Sequence, residues 1–280
     1  MIKIGSLCTG YGGLDLAVSD FFLSEISWVS DIDPYVCQWL KLRLPGAPNL
    51  GDIREVDWST VPKVEVLTAG YPCQPFSSVG KHKGVNDPRH LWPSVYQAVR
   101  ALRPPIIFLE NVPNHLRHGF GRVLGDLAAC GYDVRWLCLP ASGVGAPHRR
   151  LRLFVLATST DPAHIERQRN WAPGPRRFAE PSNGDSGAAS PAEWWHEYLP
   201  TIRRWERRLR RPAPEPWSPS KRAWSGWTLH DRFVEWMMGL PEEWVVGAPF
   251  KRKFKIRMLG EGVVPQQAYR ALEILYKENP

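Results

Sequence analysis

One cysteine framed by prolines, in "AGYPCQPFS", is the first group in this 280-residue chain equipped for chemistry. Cys73 lies between Pro72 and Pro75, just past the apolar run "VEVLTA". Proline locks its own φ and restricts the residue before it, so the backbone around this thiol is tightly held. A buried structural cysteine needs no such frame; a nucleophile presented at one angle does. "FLENVP" brings Glu110 and Asn111 to the end of another apolar run. An unpaired carboxylate is costly in a core, which leaves a chemical role or a helix cap. "PHRRLRLF" sets Arg150 and Arg152 at alternate positions of an expected strand, hence on one face. That face meets either solvent or an anionic site.

A glycine loop precedes these groups. In "SLCTGYGGLDLA", Gly10, Gly12 and Gly13 follow an apolar run and open a helical pattern. Glycine there permits a tight turn and close approach of backbone to ligand. The spacing is not the G-x-G-x-x-G of dinucleotide sites, so ligand loop and ordinary turn both stay open. Asp31 is placed to meet ribose hydroxyls or to cap a helix. Asp52, in "NLGDIRE", offers an acceptor for an adenine amino group or serves a turn. No Lys or Arg lies in the glycine loop, which favours a nucleoside ligand without a pyrophosphate.

These residues need a scaffold that gathers them. Strand patterns fall at 2–8, 26–30, 64–69, 105–110, 132–139 and 151–157, with helical patterns at 13–23, 34–43, 88–102 and 119–130. Alternation of this kind predicts an α/β fold with a mostly parallel sheet, working at the carboxyl ends of its strands. Beyond residue 158 the pattern dissolves into Pro, Gly, Ser and Arg, with one short basic helix in "EYLPTIRRWERRLRR". Regular patterning resumes with "DRFVEWMMGLPEEWV" and a final helix in "PQQAYRALEILYKEN". The expected partition is 1–158 catalytic and cofactor-binding, 159–228 a basic insert, and 229–280 a return to the main domain.

Net charge is +8 and the pI about 9.4, which favours a polyanionic partner, nucleic acid before membrane. No run of apolar residues is long enough to span a bilayer, and "MIKIGSLCTG" lacks a signal-peptide plan. A soluble, cytoplasmic protein is expected. Five cysteines without CxxC pairing point to neither a disulfide framework nor a zinc site.

In order and spacing, these pieces resemble the DNA (cytosine-5) methyltransferase family. "TGYGG" is similar to its first motif, "AGYPCQPFS" to its Pro-Cys-Gln loop, and "ENV" to its Glu-Asn-Val motif. "HRRLR" resembles its Gln-x-Arg-x-Arg strand, and "GEGVVPQQA" its terminal Gly-Asn-x-Val-x-Pro motif. The resemblance covers the first 158 residues and the last fifty. It implies a Rossmann-like fold that uses S-adenosyl-L-methionine. Cys73 would attack carbon 6 of a flipped cytosine, Glu110 would hold and protonate N3, and Arg150 and Arg152 would orient the base. Gln74, Ser77, Asn111 and Val112 would serve the base and the loop, with Lys81 and Lys83 near phosphate. The cofactor would lie against Leu7, Thr9, Gly10, Gly12, Gly13 and Leu14, then Asp31, Ile32, Asp52 and Ile53. Gly70, Pro72, Glu261 and Val263 would complete its site. Residues 159–228 would read a short sequence in double-stranded DNA for a monomeric enzyme of a bacterium or phage.

Four positions depart from the family pattern. Cys8 stands for phenylalanine, Ile32 for a tryptophan, His148 for glutamine and Glu261 for asparagine. The first three are expected to tune affinity. Glu261 puts an acid near the transferred group, so it is either turned to solvent or a nearby cation, or it selects a modified donor. Two other readings compete. A catalytically silent DNA-binding relative has no chemical reason to keep Cys73, Glu110, Arg150 and Arg152 together. A transfer-RNA cytosine methyltransferase would carry a Cys-Phe-Thr segment, which is absent.

Overall fold

A computed structural model describes residues 1–72, 91–169, 171, 178, 189–219 and 226–277. Alternating apolar and helical segments build one six-stranded sheet. Its strands are β1 (Lys3–Leu7), β2 (Glu25–Ser30), β3 (Val66–Ala69), β4 (Ile106–Asn111), β5 (Tyr132–Pro140) and β6 (Leu151–Ser159). They lie in the order β2-β1-β3-β4-β6-β5. The first four are parallel, and β6 runs antiparallel to both β4 and β5. The expected α/β class with a mostly parallel sheet is the one observed.

Period-two patterning in the strands divides the core. Ile107 and Leu109 of β4 join Leu153 and Val155 of β6 in one cluster, while Ile106, Phe108, Phe154 and Leu156 enter another. Helices α3 (Trp92–Leu102) and α4 (Phe120–Ala129) supply Trp92, Val95, Val123 and Leu127 to the first cluster. Helices α1 (Gly13–Phe22) and α9 (Pro265–Lys277) cover the second, where Phe21 and Tyr269 meet edge to face at 5.5 Å. The C-terminal helix is thus packed on the first.

A third cluster joins α2 (Pro34–Arg43) to the later chain. Trp39 and Leu40 pack in it with Ile202 and Trp205 of α6 (Leu199–Leu209), Trp236 of α7 (Asp231–Met237) and Leu259 of α8 (Arg252–Glu261). The Trp205 indole donates to the Trp236 carbonyl at 3.0 Å. Part of the irregular basic region therefore shares a core with helices on either side of it. Three elements were not expected: α5 (Pro162–Arg169), α8, and a ribbon of β7 (Trp217–Pro219) with β8 (Trp227–Leu229). Among the described residues, no helix is long and apolar enough to cross a membrane.

The glycine loop and the C-terminal segment are in tight contact. A Cβ on Gly13 would lie 2.3 Å from the Val263 carbonyl oxygen and 2.7 Å from the Tyr11 ring. Tyr11 donates its hydroxyl to the same carbonyl at 2.8 Å. Gly13→Ala is therefore expected to cost about 1–3 kcal/mol by overpacking, read as a lower midpoint in thermal unfolding.

Candidate active site

The chain goes from β1 to β2 on one side, then returns to β3 on the other. A doubly wound sheet opens a ligand crevice at such a reversal, beyond the carboxyl ends of the strands. A cavity of about 430 Å³ lies there, lined by the segments following β1, β2, β3 and β4 and by Met258 and residues 260–263 of the C-terminal segment. Because β6 runs backwards, its amino end reaches the same edge and delivers Arg152.

The loop after β1 is held open by backbone conformation. Cys8, Gly10 and Gly12 have φ of 52°, 57° and 71°, in the left-handed region. Burial, then Asp31 and Asp52, pushes the Cys8 thiol up to about 12, which removes it as a nucleophile near neutral pH. Asp31 accepts from the Gly10 amide at 3.0 Å and the Asp33 amide at 3.0 Å. Burial nonetheless raises its carboxyl above the ordinary value. Asp33 caps α2 through the Tyr35 and Val36 amides at 2.9 and 3.2 Å. Asp52 pairs with Arg54, whose guanidinium hydrogen bond holds that carboxyl below its usual range.

At the β4 edge, Glu110 is 8% exposed and its Oε1 lies 2.8 Å from Arg152 Nε. Burial raises its pKa, while Arg152 and then Arg150 oppose the shift. A carboxyl of this kind keeps its proton to higher pH than a surface glutamate. The Asn111 side-chain amide donates to the Tyr71 carbonyl at 3.1 Å and so ties β4 to the segment leading to residue 73.

Of the residues expected to hold the cofactor, Leu7, Thr9, Gly10, Gly13, Leu14, Asp31, Ile32, Asp52, Ile53, Gly70, Pro72, Glu261 and Val263 line the cavity. Gly12 bends the loop without lining it. Glu110, Asn111, Val112 and Arg152 share the same cavity. Cys73, Gln74, Ser77, Lys81 and Lys83 lie outside the described residues, as does the start of the helical pattern expected from 88. Arg150 differs from expectation. It precedes β6 with φ of 25°, and its guanidinium donates to the carbonyls of Gly260, at 2.8 Å, and Gly262. The backbone turns before the strand begins, so the two arginines do not share a strand face. Glu261 is exposed at the rim; burial raises its carboxyl, and Arg257 acts against the shift.

Two features went unread in the sequence. Tyr71, one residue before Pro72, has its hydroxyl 2.9 Å from Nε2 of His115, whose Nδ1 lies 2.9 Å from the His118 carbonyl. A carbonyl only accepts, so Nδ1 carries a proton and the neutral ring takes the tyrosine proton at Nε2. Both side chains are buried. Tyr71→Phe would remove that hydrogen bond at an expected cost of about 0.5–1.5 kcal/mol, measurable by chemical denaturation. The second is Asp15, set in the apolar run "GLDLAV" and 1% exposed, yet lining the cavity. An acid inside an apolar run was the available signal for it.

The fold and its crevice define an α/β protein with a nucleoside-sized site at a sheet reversal. Residues 2–183 match the family model of the C-5 cytosine-specific DNA methylases, and the chain belongs to that family. The type II methyltransferase M.BanI of Aneurinibacillus aneurinilyticus is 36% identical over 165 residues, covering 55% of this chain and 38% of its own length. M.MspI of a Moraxella species is 33% identical over 143 residues, covering 49% and 34%. The chain thus spans little more than a third of these relatives. M2.BsuMI of Bacillus subtilis is 27% identical over 287 residues, covering 94% of this chain and 72% of its own. Solved structures of a DNMT2 variant of Spodoptera frugiperda and of EhMeth of Entamoeba histolytica share the Rossmann-like fold. Their TM-scores are 0.67 and 0.68 at 17% and 16% identity, covering 99–100% of each chain.

Proposed function

We propose that the protein transfers a methyl group from S-adenosyl-L-methionine to carbon 5 of cytosine in double-stranded DNA. The observation that carries this reading is the buried Glu110–Arg152 pair, facing the same cavity as Gly70, Tyr71 and Pro72. The peptide after Pro72 leads directly to Cys73.

The cavity suits the donor. Its volume lies in the range of small-ligand sites. Asp31 is placed for ribose hydroxyls, and Ile32, 60% exposed on the rim, offers an apolar wall for a base. The cations that line it, Arg54 and Arg152, are already paired with Asp52 and Glu110, so a pyrophosphate would find no free counter-charge among the described residues. S-adenosyl-L-methionine supplies an electrophilic methyl group when bound.

The protein's own groups carry the rest. The Cys73 thiolate forms a bond to carbon 6, and the displaced π electrons make carbon 5 nucleophilic. Glu110 hydrogen-bonds N3 and gives it a proton as charge arrives, a step its raised pKa favours. Arg152 keeps the carboxyl oriented and steadies the base. Carbon 5 would take the methyl group with the neutral thioether S-adenosylhomocysteine as leaving group; it then gives its proton to water, the double bond reforms, and the sulfur–carbon 6 bond breaks with the electron pair returning to Cys73. N3 returns its proton to Glu110.

Residues 159–228 serve as the target-recognition region on this reading, and 229–280 return to the catalytic domain. Support comes from the β7–β8 ribbon, which exposes Trp217 and Trp227 by about half, and from exposed Arg204, Arg207 and Arg210 along α6. A two-stranded ribbon fits a major groove, and arginines meet phosphate. Lys251, Arg252 and Lys253, exposed where α8 begins, add to that positive surface.

The test is incubation of mixed-sequence duplex DNA with the protein and S-adenosyl-L-methionine, followed by nucleoside mass spectrometry. 5-Methylcytosine is the expected product. Unmodified DNA would favour the silent DNA-binding relative. A heavier substituent on carbon 5, found with cell-extracted donor, would favour a modified donor selected through Glu261.

A further inference from the structure

Among the described residues, no cation pairs with the Asp15 carboxylate. Its Oδ2 accepts from the Ser6 hydroxyl at 2.8 Å and its Oδ1 from the Thr68 hydroxyl. It is 1% exposed and lines the cavity between β1, β3 and the start of α1. The other charged groups lining the cavity are engaged elsewhere. Arg152 pairs with Glu110, Arg54 with Asp52, and Arg257 with Asp33 of the rim. Asp31 holds backbone amides, and Glu261 is exposed at the mouth. From α9, packed against α1, Arg270 and Glu273 bond to each other. Among the described residues, two hydroxyls and its own backbone amide meet Asp15, and none of these neutral donors cancels its charge.

Burying a charge in that state is costly unless a counter-charge arrives. Its position in the first turn of α1 recovers a fraction through the helix dipole, and the two hydroxyls recover more. Burial still outweighs both hydroxyls and pushes the carboxyl up to about 6. Below about pH 6 the carboxyl therefore holds a proton that a cationic ligand can displace.

We propose that Asp15 is the counter-ion for the ammonium of the donor's amino-acid end, the cation that completes this buried carboxylate when the cavity fills. The inference rests on the reading of the cavity as a site for S-adenosyl-L-methionine. The amides of Gly13 and Leu14, which open α1 beside Asp15 and line the cavity, suit the carboxylate of the same amino-acid group. A zwitterion is thereby met by donors and an acceptor a few residues apart in sequence. The same pairing ties donor binding to a proton. Ionised Asp15 binds the ammonium, so affinity falls as the pH drops below about 6, where the proton competes.

Calorimetry in two buffers of different ionisation enthalpy, at a pH near 6, reads the protons released on binding. Three ligands separate the groups: S-adenosylmethionine, S-adenosylhomocysteine, which lacks the sulfonium, and methylthioadenosine, which lacks the amino-acid end. The native protein is expected to release a fraction of a proton with the first two and none with the third. Asp15→Asn should abolish that release and weaken the first two by roughly ten- to a hundredfold, leaving methylthioadenosine unchanged. Equal release with methylthioadenosine would overturn the assignment and transfer it to Asp31 at the ribose. Loss confined to S-adenosylmethionine would overturn the ammonium in favour of the sulfonium. Unchanged affinities in Asp15→Asn would remove the residue from the site. If that variant does not fold, the three-ligand comparison on the native protein still decides. Failure of the native protein to bind any of the three would instead overturn the proposed function.

Discussion

Cys73→Ser is expected to lower methyl transfer by more than about a thousandfold while DNA still binds. Serine is nearly isosteric, but its hydroxyl is a far weaker nucleophile near neutral pH, so the first bond to carbon 6 does not form at a useful rate. The sharper readout is a duplex containing 5-fluorocytosine. Once carbon 5 has been methylated, fluorine cannot leave as a proton does, and the native protein should remain covalently attached in the presence of donor. Denaturing electrophoresis displays the adduct. Its persistence in Cys73→Ser would sink the assignment, because another residue would then have to supply the nucleophile.

Glu110→Gln is expected to slow the chemical step by about 10²- to 10⁴-fold. The amide keeps the shape and can still accept from Arg152, but it has no proton to give N3. The sign of the pH effect follows from the acid's role. Burial raises the Glu110 pKa, so the protonated form persists above the ordinary carboxylate range and is lost as pH rises through the shifted value. Single-turnover rates of the native protein should therefore decline on that alkaline side. Glu110→Gln should lose that limb along with most of the rate. Thermal unfolding must accompany the measurement, since removing one partner of a buried pair can cost about 3–5 kcal/mol on its own. A variant that stays folded, reacts within tenfold of native and keeps the limb would exclude Glu110 as the acid.

Much of the scaffold was legible in the chain. "PIIFL" is an uninterrupted apolar run because β4 is buried on both faces, and such runs announce themselves. The pattern at 34–43 coincides with α2, where Asp33 and Pro34 mark the start. The later elements were harder. "PAHIERQR" reads as loop by composition, although Asp161 accepts from the Ala163 amide at 2.9 Å as a capping acid does. "RKFKIRMLGE" hides α8 because cations interrupt its apolar positions, which are buried mainly at Met258 and Leu259.

The site was legible as a set of residue types and less so as contacts. Glu110 and Arg152 stand forty-two positions apart, and only the reversal of β6 beside β4 brings them to 2.8 Å. No local pattern specifies that reversal. Arg150 was misread for a related reason: one residue of extra strand was assumed where the backbone turns at φ of 25°. Asp15 and the Tyr71–His115 bond depend on what lies opposite in space, which spacing along the chain does not report.

The cavity is closed by both ends of the described chain. Tyr11 reaches the Val263 carbonyl across 252 positions, and α9 packs on α1. The glycine loop thus lacks one wall until residues 258–263 have packed against it, so the first 158 residues by themselves do not form the finished cavity.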